Sequence, residues 1–114
     1  MINKVRKSDF EYKVLKNFEN NPELTQRQMA LEIGLSLGKT NYIIRALLDK
    51  GLLKLNNFRK SDNKIGYLYF ITPEGIARKS NLTRKFLKRK SEEYTRLESE
   101  IQELQNQSND NDKI

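Results

Sequence analysis

Polar and basic side chains are concentrated between residues 36 and 45, in a stretch whose apolar spacing predicts a helix. They are Ser36, Lys39, Asn41, Tyr42 and Arg45. Such residue types match the edges of bases, since Asn pairs with adenine, Arg with guanine, and Lys with guanine or a phosphate. Gly38 leaves room for a nucleic-acid backbone to come close. The stretch therefore predicts contact with DNA, and an ordinary solvated helix surface is the alternative.

Two further groups of residues have the chemistry to hold phosphates. Arg59, Lys60 and Lys64 surround a turn-forming Ser-Asp-Asn sequence, which predicts a basic hairpin tip suited to the minor groove or its phosphates. The alternative is that these charges only protect a sheet edge from aggregation. Gln26 and Arg27 occupy the predicted first turn of a helix, where backbone amides and a cation favour an anion. Plain surface is the alternative for Arg27.

Missing residue types exclude several kinds of chemistry. The 114-residue chain contains neither His nor Cys. This excludes a thiol nucleophile, an imidazole base, a disulfide and a metal site built from thiolates or imidazoles. No buried pair of carboxylates, Lys or Tyr at a pocket-like site is evident in the sequence. We therefore expect no enzymatic activity, no catalytic residue, no cofactor and no metal.

The apolar pattern predicts a soluble protein. The longest apolar run, Tyr67 to Ile71, has five residues, whereas a membrane-spanning helix needs about 20. The first ten residues lack the apolar stretch of a secretory signal. The absence of Cys fits a reducing compartment. Together these features favour a cytoplasmic location and no membrane partner.

Charge is distributed unevenly along the chain, whose net charge is +7. Residues 1–90 contain 20 basic and 8 acidic side chains, whereas residues 91–114 contain 2 basic and 7 acidic ones. So basic a segment favours a polyanion such as nucleic acid as its partner. The alternative is a charged surface that serves only solubility.

Three short helices are predicted in the first half of the chain. Capping boxes at Ser8–Glu11 and Thr25–Gln28 start the first two. These helices end near Pro22 and at Gly34. Ser36 is the predicted N-cap of the third, which runs to about residue 50. The link between the second and third helices is so short that an angled helix-turn-helix is expected.

A hairpin and one long helix are predicted next. Residues 52–58 and 66–71 are rich in aliphatic and aromatic side chains and should pair as two strands. Thr72 then caps a helix that begins at Pro73. That helix should run to about residue 105 and be roughly 50 Å long. The polar residues 106–114 are expected to be disordered.

Apolar residues recur with heptad spacing along the predicted long helix. The series is Leu87, Tyr94, Leu97, Ile101 and Leu104. A domain of this size is too small to cover such a row, so the spacing predicts self-association. In a parallel homodimer, like charges would repel one another at the flanking positions Glu93, Glu98 and Glu100. This repulsion favours an antiparallel or crossed pairing. The alternative is that the basic stretch at residues 84–90 contacts DNA phosphates.

The helix-turn-helix residues resemble a known family. Residues 25–53 are TQRQMALEIGLSLGKTNYIIRALLDKGLL. They are followed by the predicted basic hairpin, here called the wing, and then by the residues ITPEG. Together these segments are similar to the winged helix of MarR-type transcriptional regulators. Closer still are the small MarR-family regulators associated with bacterial exopolysaccharide loci, which the segment ITPEGIARKSNLTRKFLKRKSEEY also resembles. The resemblance covers about residues 8–105. It implies a bacterial DNA-binding regulator of exopolysaccharide biosynthesis genes.

This resemblance also implies how the chain contacts DNA and itself. It assigns base contact to the third helix and minor-groove or phosphate contact to the wing. Larger MarR proteins dimerise through helices from both termini and often hold a small aromatic effector beside the DNA-binding lobe. Only about eight residues precede the first helix here, so we expect dimerisation through the C-terminal helix alone. Whether an effector exists is left open.

The sequence thus predicts a mainly α-helical fold with a small β-hairpin. A winged helix-turn-helix DNA-binding domain is expected at residues 8–72, a long dimerisation helix at residues 73–105 and a disordered tail at residues 106–114. We expect a sequence-specific double-stranded DNA-binding regulator that acts as a homodimer on a pseudo-palindromic site. The alternative is a protein-interaction adaptor, with a structural winged helix and a coiled-coil-forming helix.

Overall fold

A computed structural model of the chain describes residues 7–59 and 65–112. Within them the chain forms helices and strands in the order αααββα. The elements are α1 (Lys7–Asn20), α2 (Gln26–Ile33), α3 (Leu37–Asp49), β1 (Leu53–Arg59), β2 (Ile65–Ile71) and α4 (Pro73–Asp112). This order confirms the predicted fold class, which is mainly α with a two-stranded hairpin and a long C-terminal helix.

The chain divides into two compact units, Met1–Thr83 and Arg84–Ile114. The boundary between them lies within α4. The first unit includes the opening turns of α4. Leu82 is 3% exposed and belongs to the hydrophobic core of that unit. Arg78 forms an ion pair with the buried Glu11 of α1 at 3.5 Å. The beginning of α4 is therefore part of the winged-helix unit.

One hydrophobic core holds the first unit together. Besides Leu82, its members are Val14, Leu15, Phe18, Met29, Ile33, Ile43, Ile44, Leu47, Leu53 and Tyr69. Spacings of three and four residues place the contributing side chains of α1 and α3 on one face of each helix. Phe18 and Tyr69 stack with ring centroids 4.7 Å apart, a pairing that adds about 0.5–1.5 kcal/mol to the effect of burial. This packing fixes which face of α3 remains outside.

Local hydrogen bonds fix the turn between α2 and α3. Thr25 Oγ1 accepts from the amide of Gln28 at 3.0 Å, and Gln28 Oε1 accepts from the amide of Thr25 at 2.9 Å. Gly34 ends α2 with a φ of 72°, which glycine adopts without a steric penalty. Ser36 Oγ then accepts from the amide of Lys39 at 3.2 Å. These contacts confirm the predicted helix-turn-helix.

The hairpin is antiparallel, and both of its strands contact the helices. Leu53 of β1 lies opposite Ile71 of β2 and is buried in the core. The amide of Tyr69 donates to the carbonyl of Pro22 at 3.0 Å, which ties β2 to the turn between α1 and α2. Residues 60–64, the predicted tip, lie outside the described residues.

The first turn of α4 packs closely on the segment that leaves α3. Thr72 Oγ1 accepts from the amide of Gly75 at 3.0 Å and donates to the carbonyl of Gly51 at 2.6 Å. A Cβ on Gly75 would overlap the carbonyl oxygen of Leu52 and approach Ile71 Cγ1 to 2.7 Å. Glycine is therefore the residue that lets α4 start at this position. The predicted cap at Thr72 is confirmed.

Two predicted helix boundaries are corrected. Ser8 lies inside α1, whose first helical residue is Lys7, so it is not the N-cap. α4 continues to Asp112, so the disorder expected for residues 106–114 is wrong for residues 106–112. No Pro or Gly interrupts residues 76–112, and the backbone hydrogen bonds of the helix therefore continue through a polar sequence.

Candidate nucleic-acid interface

α3 presents one face to the core and the other to solvent. The inner residues are Thr40, Ile43, Ile44 and Leu47, all buried. On the outer face Lys39, Tyr42 and Arg45 are exposed and Asn41 is half-buried. A concavity of about 490 Å³ lies on this face, lined by Gly38, Asn41, Tyr42, Arg45, Ala46 and Asp49. The structure thus brings the residues predicted to contact bases onto one surface.

The first turn of α3 is open on its outer side. A Cβ placed on Gly38 would meet nothing within 4 Å. The fold does not require glycine here, so the space above Gly38 is available to a partner. Ser36 is exposed, but its hydroxyl oxygen already accepts the amide of Lys39 as the helix cap. Its direct structural role is therefore to start α3.

Asn41 is held by a chain of hydrogen bonds that starts in the core. Its Nδ2 donates to Gln26 Oε1 at 2.7 Å. Gln26 Nε2 in turn donates to the hydroxyl of Tyr69 at 3.1 Å. Tyr69 is 5% exposed and stacks on Phe18. Sequence reasoning assigned Gln26 to phosphate contact and did not foresee this link from α2 to the outer face of α3.

Tyr42 acquires a basic neighbour that the sequence did not indicate. Lys7 Nζ lies 5.5 Å from the centroid of the Tyr42 ring, within the range of a cation–π contact. Lys7 begins α1, and its position beside α3 follows from how the core packs these two helices. No periodicity or motif in the sequence could have signalled it. The contact adds a positive charge next to the predicted base-contacting surface.

The predicted phosphate-contacting residues are placed only in part. Arg59 is exposed at the end of β1, and Arg27 is exposed in the first turn of α2. Gln26 is half-buried and bonded to its two protein neighbours. Lys60 and Lys64 lie outside the described residues. The assignment of these side chains to phosphates stays a prediction.

The described residues offer neither a metal-binding cluster nor a membrane-spanning helix. Within residues 7–59 and 65–112, no group of three or more acidic residues could hold a metal ion. In that part of the chain, no helix combines the length and the apolar character needed to cross a membrane.

The second unit carries an exposed apolar row. The row consists of Leu87, Tyr94, Leu97, Ile101 and Leu104, which are 49–65% exposed. Near its start, Arg89 and Lys90 lie over the ring of Phe86 at 5.6 and 5.5 Å. Lys90 also approaches Glu93 to 3.7 Å. The five predicted dimerisation residues thus share a helix and are all accessible.

A family model matches the part of the chain that forms this site. Residues 7–54 match the model described as winged helix-turn-helix DNA-binding. The match covers α1, α2 and α3 and reaches the start of β1. This segment is therefore similar to winged helix-turn-helix DNA-binding domains. Among curated protein sequences, none is significantly similar to the chain.

Solved structures with a similar fold are transcriptional regulators. The PcaV regulator from Streptomyces coelicolor, solved with its natural ligand, is 24% identical with a TM-score of 0.57, over 77% of this chain and 60% of that one. The zinc-dependent MarR family regulator AdcR is 16% identical with a TM-score of 0.54, over 73% and 55%. A MarR family regulator from Rhodococcus sp. RHA1 is 21% identical with a TM-score of 0.51, over 66% and 51%.

These likenesses establish the fold. They confirm that the chain resembles MarR-type regulators in its fold. The matched part of the chain spans between 51% and 60% of the length of these three proteins. The natural ligand belongs to PcaV and the zinc dependence belongs to AdcR, as properties of those two proteins.

Proposed function

We propose that the chain is a sequence-specific double-stranded DNA-binding transcriptional regulator. The observation that carries this proposal is the outer face of α3, where Lys39, Tyr42 and Arg45 are exposed beside a half-buried Asn41. Exposed side chains that can bond to base edges are typical of a helix that enters the major groove. An adaptor whose winged helix is only structural has no need of base-matching side chains at these positions.

Each polar group has a distinct task in this proposal. Arg45 forms two hydrogen bonds with a guanine, and Asn41 does so with an adenine. Lys39 contacts a guanine or a phosphate. Arg27 and Arg59 hold the sugar-phosphate backbone, as do the main-chain amide of Gln26 in the first turn of α2 and Lys60 and Lys64 at the wing. Base contacts then select the sequence, while backbone contacts supply much of the affinity.

The proposed functional form is a homodimer joined through the second unit. A row of five apolar side chains, each about half exposed or more, leaves much apolar surface in water. A second copy of the same helix covers such a heptad row. Because Glu93, Glu98 and Glu100 would repel their own copies in a parallel pair, the pairing is antiparallel or crossed. Two copies of α3 then face a pseudo-palindromic site.

The proposed target genes and location come from the resemblance. The sequence resembles the small MarR-family regulators associated with bacterial exopolysaccharide loci. We therefore propose control of exopolysaccharide biosynthesis genes, in the cytoplasm where the DNA is. The bound DNA fragments from the source genome test the first of these points, because they identify the neighbouring genes.

Salt dependence tests the electrostatic part of the proposal. The logarithm of the association constant for a random-sequence duplex should fall linearly with the logarithm of the salt concentration. The slope should be about −0.9 for every phosphate neutralised. Arg59→Ala should make the slope less steep by about one unit per protomer. The measurement is fluorescence anisotropy over a range of salt concentrations. A flat response would remove nucleic acid as the partner and favour the adaptor.

A further inference from the structure

Asn41 differs from the other outer residues of α3 because its side chain is already bonded inside the protein. Its Nδ2 donates to Gln26 Oε1 at 2.7 Å, and Gln26 Nε2 donates to the Tyr69 hydroxyl at 3.1 Å. Three elements thus contribute to one chain of hydrogen bonds, which runs from the sheet through the start of α2 to α3. Its far end lies in the core, because Tyr69 is 5% exposed and stacks on the fully buried Phe18.

The bond to Gln26 leaves Asn41 with the groups that an adenine needs. An Asn amide has two N–H donors and one carbonyl acceptor. One donor serves Gln26, so the Oδ1 acceptor and the second N–H are available to a base. An adenine edge offers the matching N6 donor and N7 acceptor. The amide is therefore oriented before DNA arrives, and less side-chain freedom is lost on binding.

Gln26 owes its own orientation to hydrogen bonds more than to packing. Gln26 and Tyr69 line a recess of about 580 Å³ between the start of α2 and the hairpin, together with Leu55, Phe58 and Tyr67. A flexible side chain beside open space is free to adopt other rotamers. The fixed acceptor is the Tyr69 hydroxyl, because its ring is held in the core. Removing that hydroxyl alone should release Gln26, and Asn41 with it.

We propose that Tyr69 and Gln26 are positioning residues that orient the Asn41 amide for base recognition. The assignment rests on the proposed function, since it concerns how the same surface selects DNA. It makes a core tyrosine on β2 a determinant of sequence preference without contact to DNA. It also gives the Gln26 side chain a task separate from the phosphate contact predicted from its place in the helix.

The decisive variant is Tyr69→Phe, which keeps the stacked ring and deletes the hydroxyl. Its binding to a duplex selected by the wild-type protein should weaken by about 2- to 10-fold, the usual effect of one hydrogen bond. The loss should disappear when the base pair contacted by Asn41 is exchanged. Binding to random duplex should be unchanged. Tyr67→Phe is the matched control, since Tyr67 lies on the same strand and recess but is 54% exposed.

A double-mutant cycle separates positioning from an independent contact. In an Asn41→Ala background, Tyr69→Phe should have no further effect on the selected duplex, because its target is gone. Gln26→Leu should behave in the same way. Additive losses would overturn the positioning role. Equal losses by Gln26→Leu on selected and random duplexes would also overturn it, and would return Gln26 to the phosphates.

A measurement without DNA distinguishes failure of this assignment from failure of the proposed function. The side-chain amide signals of Asn41 in a ¹⁵N-correlated spectrum of the free protein should shift with Tyr69→Phe and stay in place with Tyr67→Phe. Unshifted signals would overturn the network. A wild-type protein without any sequence preference would overturn the proposed function, whatever the spectra report. A preferred site that Tyr69→Phe leaves unaltered would overturn the positioning role alone.

Discussion

Arg45 is the side chain whose loss should most clearly separate base contact from backbone contact. It is exposed on the outer face of α3. Arg45→Ala should weaken binding to a selected duplex by about 1–3 kcal/mol, because a guanidinium held by two hydrogen bonds discriminates its base by that amount. Binding to random duplex should change little. Titration of both duplexes by anisotropy measures the difference.

Arg59→Ala is the matched control for Arg45. Arg59 carries the same charge but lies at the end of β1, where phosphate contact is expected. This variant should weaken selected and random duplexes alike. If Arg45→Ala also weakened both equally, Arg45 would be a backbone contact and the assignment of base recognition to it would be wrong.

Single residues were predictable where the reason for their position is local. The spacing of Lys39, Tyr42 and Arg45 on a helix placed them outside, and the structure agrees. The contacts of Lys7 with Tyr42 and of Gln26 with Tyr69 were not predictable. They join residues that are 35 and 43 positions apart, and they exist only because the core orients α1, α2 and β2 around α3.

Among the elements, the junction between the hairpin and α4 depends on glycine. A Cβ on Gly75 would overlap the carbonyl oxygen of Leu52. Gly75→Ala should therefore lower the free energy of unfolding by about 1–3 kcal/mol, the usual cost of overpacking. Urea unfolding followed by circular dichroism measures the change.

Gly38→Ala provides the opposite case. Nothing lies within 4 Å of a Cβ at this position, so the substitution should raise the free energy of unfolding by about 0.5–1 kcal/mol through helix propensity. It should weaken DNA binding, because the added methyl occupies the space above α3. If the Gly75→Ala and Gly38→Ala proteins had the same free energy of unfolding, the inference that α4 packs closely on Leu52 would be wrong.

The starts of α2, α3 and α4 were predictable because helix capping has a short sequence signature. The Thr25 capping box, the left-handed Gly34 and the Ser36 and Thr72 caps all lie where the sequence placed them. The end of α4 was not predictable from polarity. Polar composition suggested disorder after residue 105, whereas the helix continues to Asp112 because no residue there interrupts its hydrogen bonds.

The apolar row of the second unit should determine the oligomeric state of the molecule. Leu97→Asp combined with Ile101→Asp puts two charges into the proposed contact and should yield a monomer. Burial of unpaired carboxylates is too costly for the pairing to survive. Sedimentation equilibrium measures the mass.

Ser99→Asp combined with Gln102→Asp is the control for that pair. It adds the same charge to the same turns of α4, but at positions outside the heptad row. It should remain a dimer. A mass that the Leu97 and Ile101 substitutions leave unchanged would show that self-association, if present, uses another surface.

Selection from a random duplex library measures whether α3 selects a DNA sequence as part of a two-fold symmetric protein. We expect enrichment of one site with two inverted half-sites, about 10 base pairs apart from centre to centre. Arg45→Ala should lose the preference at one base pair in each half. Recovery of unenriched sequence after repeated rounds would contradict sequence selection by α3, and a single half-site without its inverted copy would contradict the symmetry.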